Sequence, residues 1–104
     1  MQKRILVIED DYSLRSVLKR KLQSENYNTS FVELGQDGLK STLKLRPDLI
    51  LLDVLLPDTN GFDLLRRLKT DSRTQRIPVI LLASEGSSAL EIIGLEIGAE
   101  DFMS

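Results

Sequence analysis

The 104-residue sequence holds no cysteine and no histidine. The first absence excludes disulfides and thiolate metal sites. The second excludes Ser-His-Asp and Cys-His catalysis and His-ligated zinc. Neither sign of charge prevails: 14 Lys and Arg stand against 16 Asp and Glu, a net charge of −2. That balance gives no electrostatic case for direct nucleic-acid or membrane contact by this segment. Long apolar runs are missing as well. The first, Ile5-Leu6-Val7-Ile8, is too short for a signal-peptide core or a membrane span, so a cytoplasmic location is expected. What is present is 41% apolar and 29% charged residues, the composition of an ordinary globular domain with one core.

Three short apolar runs organise the chain. Ile5 to Ile8 ends in Glu9-Asp10-Asp11, Leu49-Ile50-Leu51-Leu52 ends in Asp53, and Val79-Ile80-Leu81-Leu82 ends in Ala83-Ser84. Apolar runs of this length, bounded by turn signals, fit strands buried on both faces of a parallel sheet. A carboxylate at the end of such a strand lies where open α/β sheets bind ligands, outside the strands' carboxyl ends. Taken alone, Asp53 also fits a turn cap. If the strands are parallel neighbours, Glu9, Asp10 and Asp53 converge. Three close carboxylates repel one another unless a cation sits among them. Mg²⁺ suits the group best, because it takes only a few carboxylates and keeps positions open for water or a phosphoryl group.

Helical patterns separate the strands. Ser13 to about Glu25 places Leu14, Val17, Leu18 and Leu22 on one face, with Asp11 or Ser13 as the cap. Arg15, Lys19 and Arg20 then read as a solvated face or a surface for a partner. Tyr27 to Leu34 is a weak strand around Phe31 and Val32. Gly35 to Gly38 reads as a turn leading into a helix over Leu39–Leu45, stopped before Pro47. Gly61 opens a third helix with Phe62, Leu64, Leu65 and Leu68 inward and Arg66, Arg67 and Lys69 outward. Thr70 to Arg76 is a polar connection. A fourth helix is expected over Ala89–Ile97, softened by Gly94, and Asp101 to Ser104 begins a fifth strand. Uninterrupted alternation of strand and helix predicts an α/β domain with a parallel sheet covered on both faces.

These stretches together resemble the receiver domain of two-component response regulators, the CheY-like group. Ile5 to Asp11 is similar to that family's first strand and acidic pair, and Pro47 to Asp53 to its phospho-acceptor strand. Pro57 and Gly61 stand four and eight residues after Asp53, as in the family's loop. Gly94-Leu95-Glu96-Ile97-Gly98-Ala99-Glu100-Asp101-Phe102 is similar to the fourth helix and the start of strand five. The resemblance implies a flavodoxin-like doubly wound parallel sheet of order 2-1-3-4-5. It implies one receiver domain over 1–104, lacking the end of strand 5 and helix 5, with an output domain expected beyond Ser104. By the same resemblance Asp53 accepts a phosphoryl group from a histidine kinase or phosphotransfer protein. Mg²⁺ is held by Glu9, Asp10, Asp53 and the backbone carbonyl of Leu55. Phosphorylation then switches partner or output interactions, including a homodimer through the helix 4–strand 5 face. This is a signalling domain, with at most self-catalysed phosphoryl transfer and dephosphorylation, and its family context is transcription regulation.

The chain departs from the family pattern in four places, the mildest being Glu9, where Asp is commoner. The hydroxyl expected at the end of strand four is replaced by Ala83, and Ser84 follows it. Alternation turns a displaced side chain to the other face, so either the contact is lost or the loop bends enough for Ser84 to supply it. Phe102 takes the place of a switching Tyr or Phe, or is a plain core residue. The family's Lys would come after Ser104. Ala83 and that Lys position define an alternative, a phosphorylation-independent receiver that serves as a protein-interaction module. A haloacid-dehalogenase-like phosphatase is disfavoured, because Leu55 stands where that group has a second Asp.

Overall fold

A computed structural model describes residues 2–82 and 98–103. The elements run β1 (Arg4–Ile8), α1 (Tyr12–Ser24), β2 (Asn28–Val32), α2 (Gly35–Leu45), β3 (Leu49–Asp53), α3 (Gly61–Thr70), β4 (Val79–Leu82) and β5 (Asp101–Met103). The five strands form one parallel sheet in the order β2-β1-β3-β4-β5. This is the expected doubly wound α/β fold. The expected helix over Ala89–Ile97, with Gly94, and the residues Ala83, Ser84 and Ser104 lie outside the described residues, as does the helix 4 part of the anticipated dimer face.

Strand alternation divides the core in two. Leu6 and Ile8 of β1, Ile50 and Leu52 of β3, and Val79 and Leu81 of β4 pack with Leu64, Leu65 and Leu68 of α3. Ile5, Val7, Leu51 and Leu82 face the other way and meet Leu18 and Leu22 of α1. The anticipated apolar face of α1 is therefore only half used. Leu18 and Leu22 pack inward, whereas Leu14 is 38% and Val17 59% exposed.

Two expectations need correction. Helix α2 begins at Gly35, so Gly35 to Gly38 is its first turn and not a preceding loop. The segment is helical because tertiary contacts supply what its glycines lack. Gly38 lies so close to Ile8 that an added Cβ would stand 2.6 Å from Ile8 Cδ1. The fully buried Thr42 returns its hydroxyl to the Gly38 carbonyl at 2.7 Å. The helix ends with Arg46 in the left-handed region at φ 51°, just before Pro47. The second correction concerns Lys69, which is half-buried and donates to the carbonyls of Ile77 at 2.7 Å and Gln75 at 3.2 Å. It ties α3 to the start of β4. Burial lowers its pKa, opposed by the charge of Glu100.

Candidate functional site

The carboxyl ends of β1 and β3 place three acidic side chains together. Ile8 pairs with Leu52 in the register of these strands, so Glu9 and Asp53 emerge beside each other. Glu9, Asp10 and Asp53 each offer a carboxylate oxygen within 4.8 Å of the others. Their surroundings differ. Glu9 is 3% exposed, Asp53 half-buried and Asp10 exposed. The Glu9 backbone N–H donates to Val32 O at 3.0 Å, which extends the β1–β2 pairing past Ile8 and pulls Glu9 inward. Its carboxylate accepts from Asp11 N–H at 3.1 Å. Burial, followed by the neighbouring Asp53 carboxyl, pushes Glu9 up to about 8.

Asp53 is fixed through its backbone neighbours. It closes β3 opposite Leu82, and Val54 N–H continues the ladder to Leu82 O at 3.0 Å. Its Oδ1 accepts from Leu55 N–H at 3.1 Å, the short-range bond that Asp makes in turns. The following loop folds back on itself: Leu55 faces Asn60 in an antiparallel bridge, Leu56 N–H donates to Thr59 O and Gly61 N–H to Val54 O. None of these bonds uses the Leu55 carbonyl. Gly61 starts α3 directly against the Asp53 carbonyl, where a Cβ would collide, and Asn60 caps that helix through Phe62 N–H at 2.7 Å. Asp11 caps α1 through Leu14 N–H at 3.1 Å, which settles the choice between Asp11 and Ser13.

Glu9, Asp10 and Asp53 thus converge at one edge of the sheet, and Leu55 stands two residues on in the loop that follows Asp53. Phe102 lies in β5 opposite Leu81. Arg15, read as part of a solvated face or a partner surface, pairs with Glu33 at 3.0 Å and lies 5.9 Å over the Tyr12 ring. One residue escaped the sequence reading. Asp58 accepts from the N–H groups of Gly35 and Gln36 at the start of α2. Those bonds hold its carboxyl below the usual range. A cap supplied from that far along the chain leaves no local sequence signal. Among the described residues no helix is long and apolar enough to cross a membrane.

A doubly wound sheet with an acidic group at its carboxyl edge defines a class, and the comparisons agree with it. The family model described as the response regulator receiver domain matches residues 5–104. The chain is 39% identical over 99 residues to the transcriptional regulatory protein AfsQ1 of Streptomyces coelicolor, covering 95% of this chain and 43% of that protein. With the DNA-binding response regulator MtrA of Mycobacterium tuberculosis it shares 39% identity over 103 residues, or 99% of this chain and 44% of MtrA. It therefore spans less than half the length of these curated relatives. Among solved structures, the BeF3-activated N-terminal receiver domain of Klebsiella pneumoniae RstA superposes with a TM-score of 0.90 at 29% identity, covering 97% of this chain and 84% of that one. Vibrio cholerae CheY4 does so at 0.91 and 25%, covering 98% and 85%. The chain belongs to the response regulator receiver domain family. It is a signalling domain of two-component systems; AfsQ1 is named a transcriptional regulatory protein and MtrA a DNA-binding response regulator.

Proposed function

We propose that this domain receives a phosphoryl group on Asp53 from a histidine kinase or phosphotransfer protein. The observation that carries the reading is the close approach of the Glu9, Asp10 and Asp53 carboxylates at the edge of the sheet, with Asp53 ending the central strand. An Asp53 oxygen attacks phosphorus, the phosphorus–nitrogen bond of the donor phosphohistidine breaks, and its electron pair leaves with the imidazole. The product is an acyl phosphate.

The donor set fits a hard divalent cation: three carboxylates offer oxygen ligands within 4.8 Å of one another, one of them on the buried Glu9. Glu9, Asp10, Asp53 and the Leu55 carbonyl would hold Mg²⁺, which when bound neutralises charge between carboxylates and phosphoryl oxygens. Asp53 then serves as nucleophile. Glu9 and Asp10 would hold the cation that spares the entering oxygens bare negative charge.

We further propose that residues 1–104 act as one receiver unit. In the working protein it controls an output segment of the DNA-binding kind named for MtrA. Incubation with acetyl phosphate and Mg²⁺ should add one phosphoryl group, and Asp53→Asn should abolish the addition. Undiminished labelling of that variant refutes the assignment.

A further inference from the structure

Helix α2 starts without a cap of its own, since Leu34 at its N-cap makes no side-chain hydrogen bond. The first N–H groups of any α-helix lack intrahelical partners. Here the partner comes from the loop that follows Asp53. Gly35 N–H donates to Asp58 Oδ1 at 2.7 Å, and Gln36 N–H to Asp58 Oδ2 at 3.1 Å. Both oxygens of one carboxylate are used, across 23 and 22 residues of sequence. The contact is fitted, because Thr59 Cγ2 fills the space a Cβ on Gly35 would take.

The same loop is fastened to Asp53 at its other end. Gly61 N–H donates to Val54 O at 2.6 Å and Leu56 N–H to Thr59 O at 3.3 Å, while Gly61 abuts the Asp53 carbonyl. Leu55 lies between the two fastenings, and its carbonyl is the one neutral member of the ligand set.

We propose that Asp58 is a positioning residue: by clamping the loop onto the N terminus of α2 it holds the Leu55 carbonyl and the Asp53 backbone in place, and so sets how tightly the acidic pocket takes a divalent cation. This rests on the cation reading given above. Asp58 acts through Leu55 and is not itself a ligand. Groups that orient first ligands change metal affinity by roughly tenfold or more when removed.

The test is a Mg²⁺ titration of the isotopically labelled chain, read by the amide shifts of Leu55 and Asp10, with hydrogen exchange at Gly35 and Gln36 as the report on the clamp. Asp58→Ala should speed exchange at both amides and weaken Mg²⁺ binding by roughly tenfold. Asp58→Asn keeps an acceptor oxygen and should recover part of the affinity. Gly35→Ala leaves the carboxylate intact but displaces Thr59, and should reproduce the loss. Should Asp58→Ala not fold, the other two variants decide. If wild type binds Mg²⁺ and the variants bind equally well despite faster exchange, the clamp plays no part in cation binding. If wild type takes up no Mg²⁺ at millimolar concentration, the cation reading falls and this inference with it.

Discussion

Glu9 and Asp53 meet across the ends of β1 and β3, Glu9 buried and Asp53 half-buried, with carboxylate oxygens within 4.8 Å of each other. Burial and this neighbour push Glu9 up to about 8. The direction of that shift favours the protonated form of Glu9 when no cation is bound.

The pH dependence follows from that raised value. A carboxyl whose folded pKa exceeds its unfolded one binds more protons in the native state. Its stabilising contribution is complete below the ordinary Glu value of 4.5 and is lost as pH rises through about 8. Melting temperature without metal should fall across this window relative to Glu9→Gln, which has no proton to lose. Because ligands must be deprotonated, Mg²⁺ affinity should rise about tenfold per pH unit up to that value and level off above it. Calorimetric titrations at several pH values check both. A flat Mg²⁺ affinity from pH 6 to about 9 would show that Glu9 is not titrating in the site.

The packing of α2 on β1 gives a stability prediction. Gly38→Ala places a methyl group 2.6 Å from Ile8 Cδ1 and within 3.2 Å of Ile8 Cγ2. Overpacking of this kind costs about 1–3 kcal/mol, more than the gain in helix propensity of about 1 kcal/mol. Denaturant unfolding should show a net loss, and Ile8→Val in the same chain should recover part of it. A more stable Gly38→Ala would mean that Ile8 yields freely.

Most of the architecture was legible because the apolar runs of β1, β3 and β4 carry a strong local signal. Their carboxyl ends named Glu9, Asp10 and Asp53 directly. The start of α2 is hidden in the sequence for the opposite reason. Gly35 and Gly38 read as turn residues by propensity, and only contacts with Ile8, Thr59 and Asp58 make them helical. Helical period alone points Lys69 outward, whereas its stem is long enough to reach back to the Ile77 carbonyl. The unequal burial of the three carboxylates goes with the Glu9 to Val32 backbone bond and leaves no mark in sequence.

Ala83 carries the next prediction, which concerns the strength of the switch. By the family resemblance and the proposed phosphorylation of Asp53, a hydroxyl at this position is expected to donate a charge-assisted hydrogen bond to the phosphoryl group, worth about 1.5–3 kcal/mol. Ala83→Thr should shift the phosphorylated protein further towards its active state, visible as larger amide shift changes on phosphorylation. Should Ser84→Ala instead remove a response already at full strength, Ser84 supplies the hydroxyl and Ala83→Thr adds nothing.

The most direct measurement is the location of the phosphoryl group. Protein treated with acetyl phosphate and Mg²⁺, then reduced with borohydride, converts an aspartyl phosphate into a homoserine that peptide mass spectrometry can place. The account predicts one modified position, Asp53, at the end of the central strand, with labelling lost when Mg²⁺ is chelated. Modification at Asp10 or Asp11, or none with Mg²⁺ in excess, would contradict it.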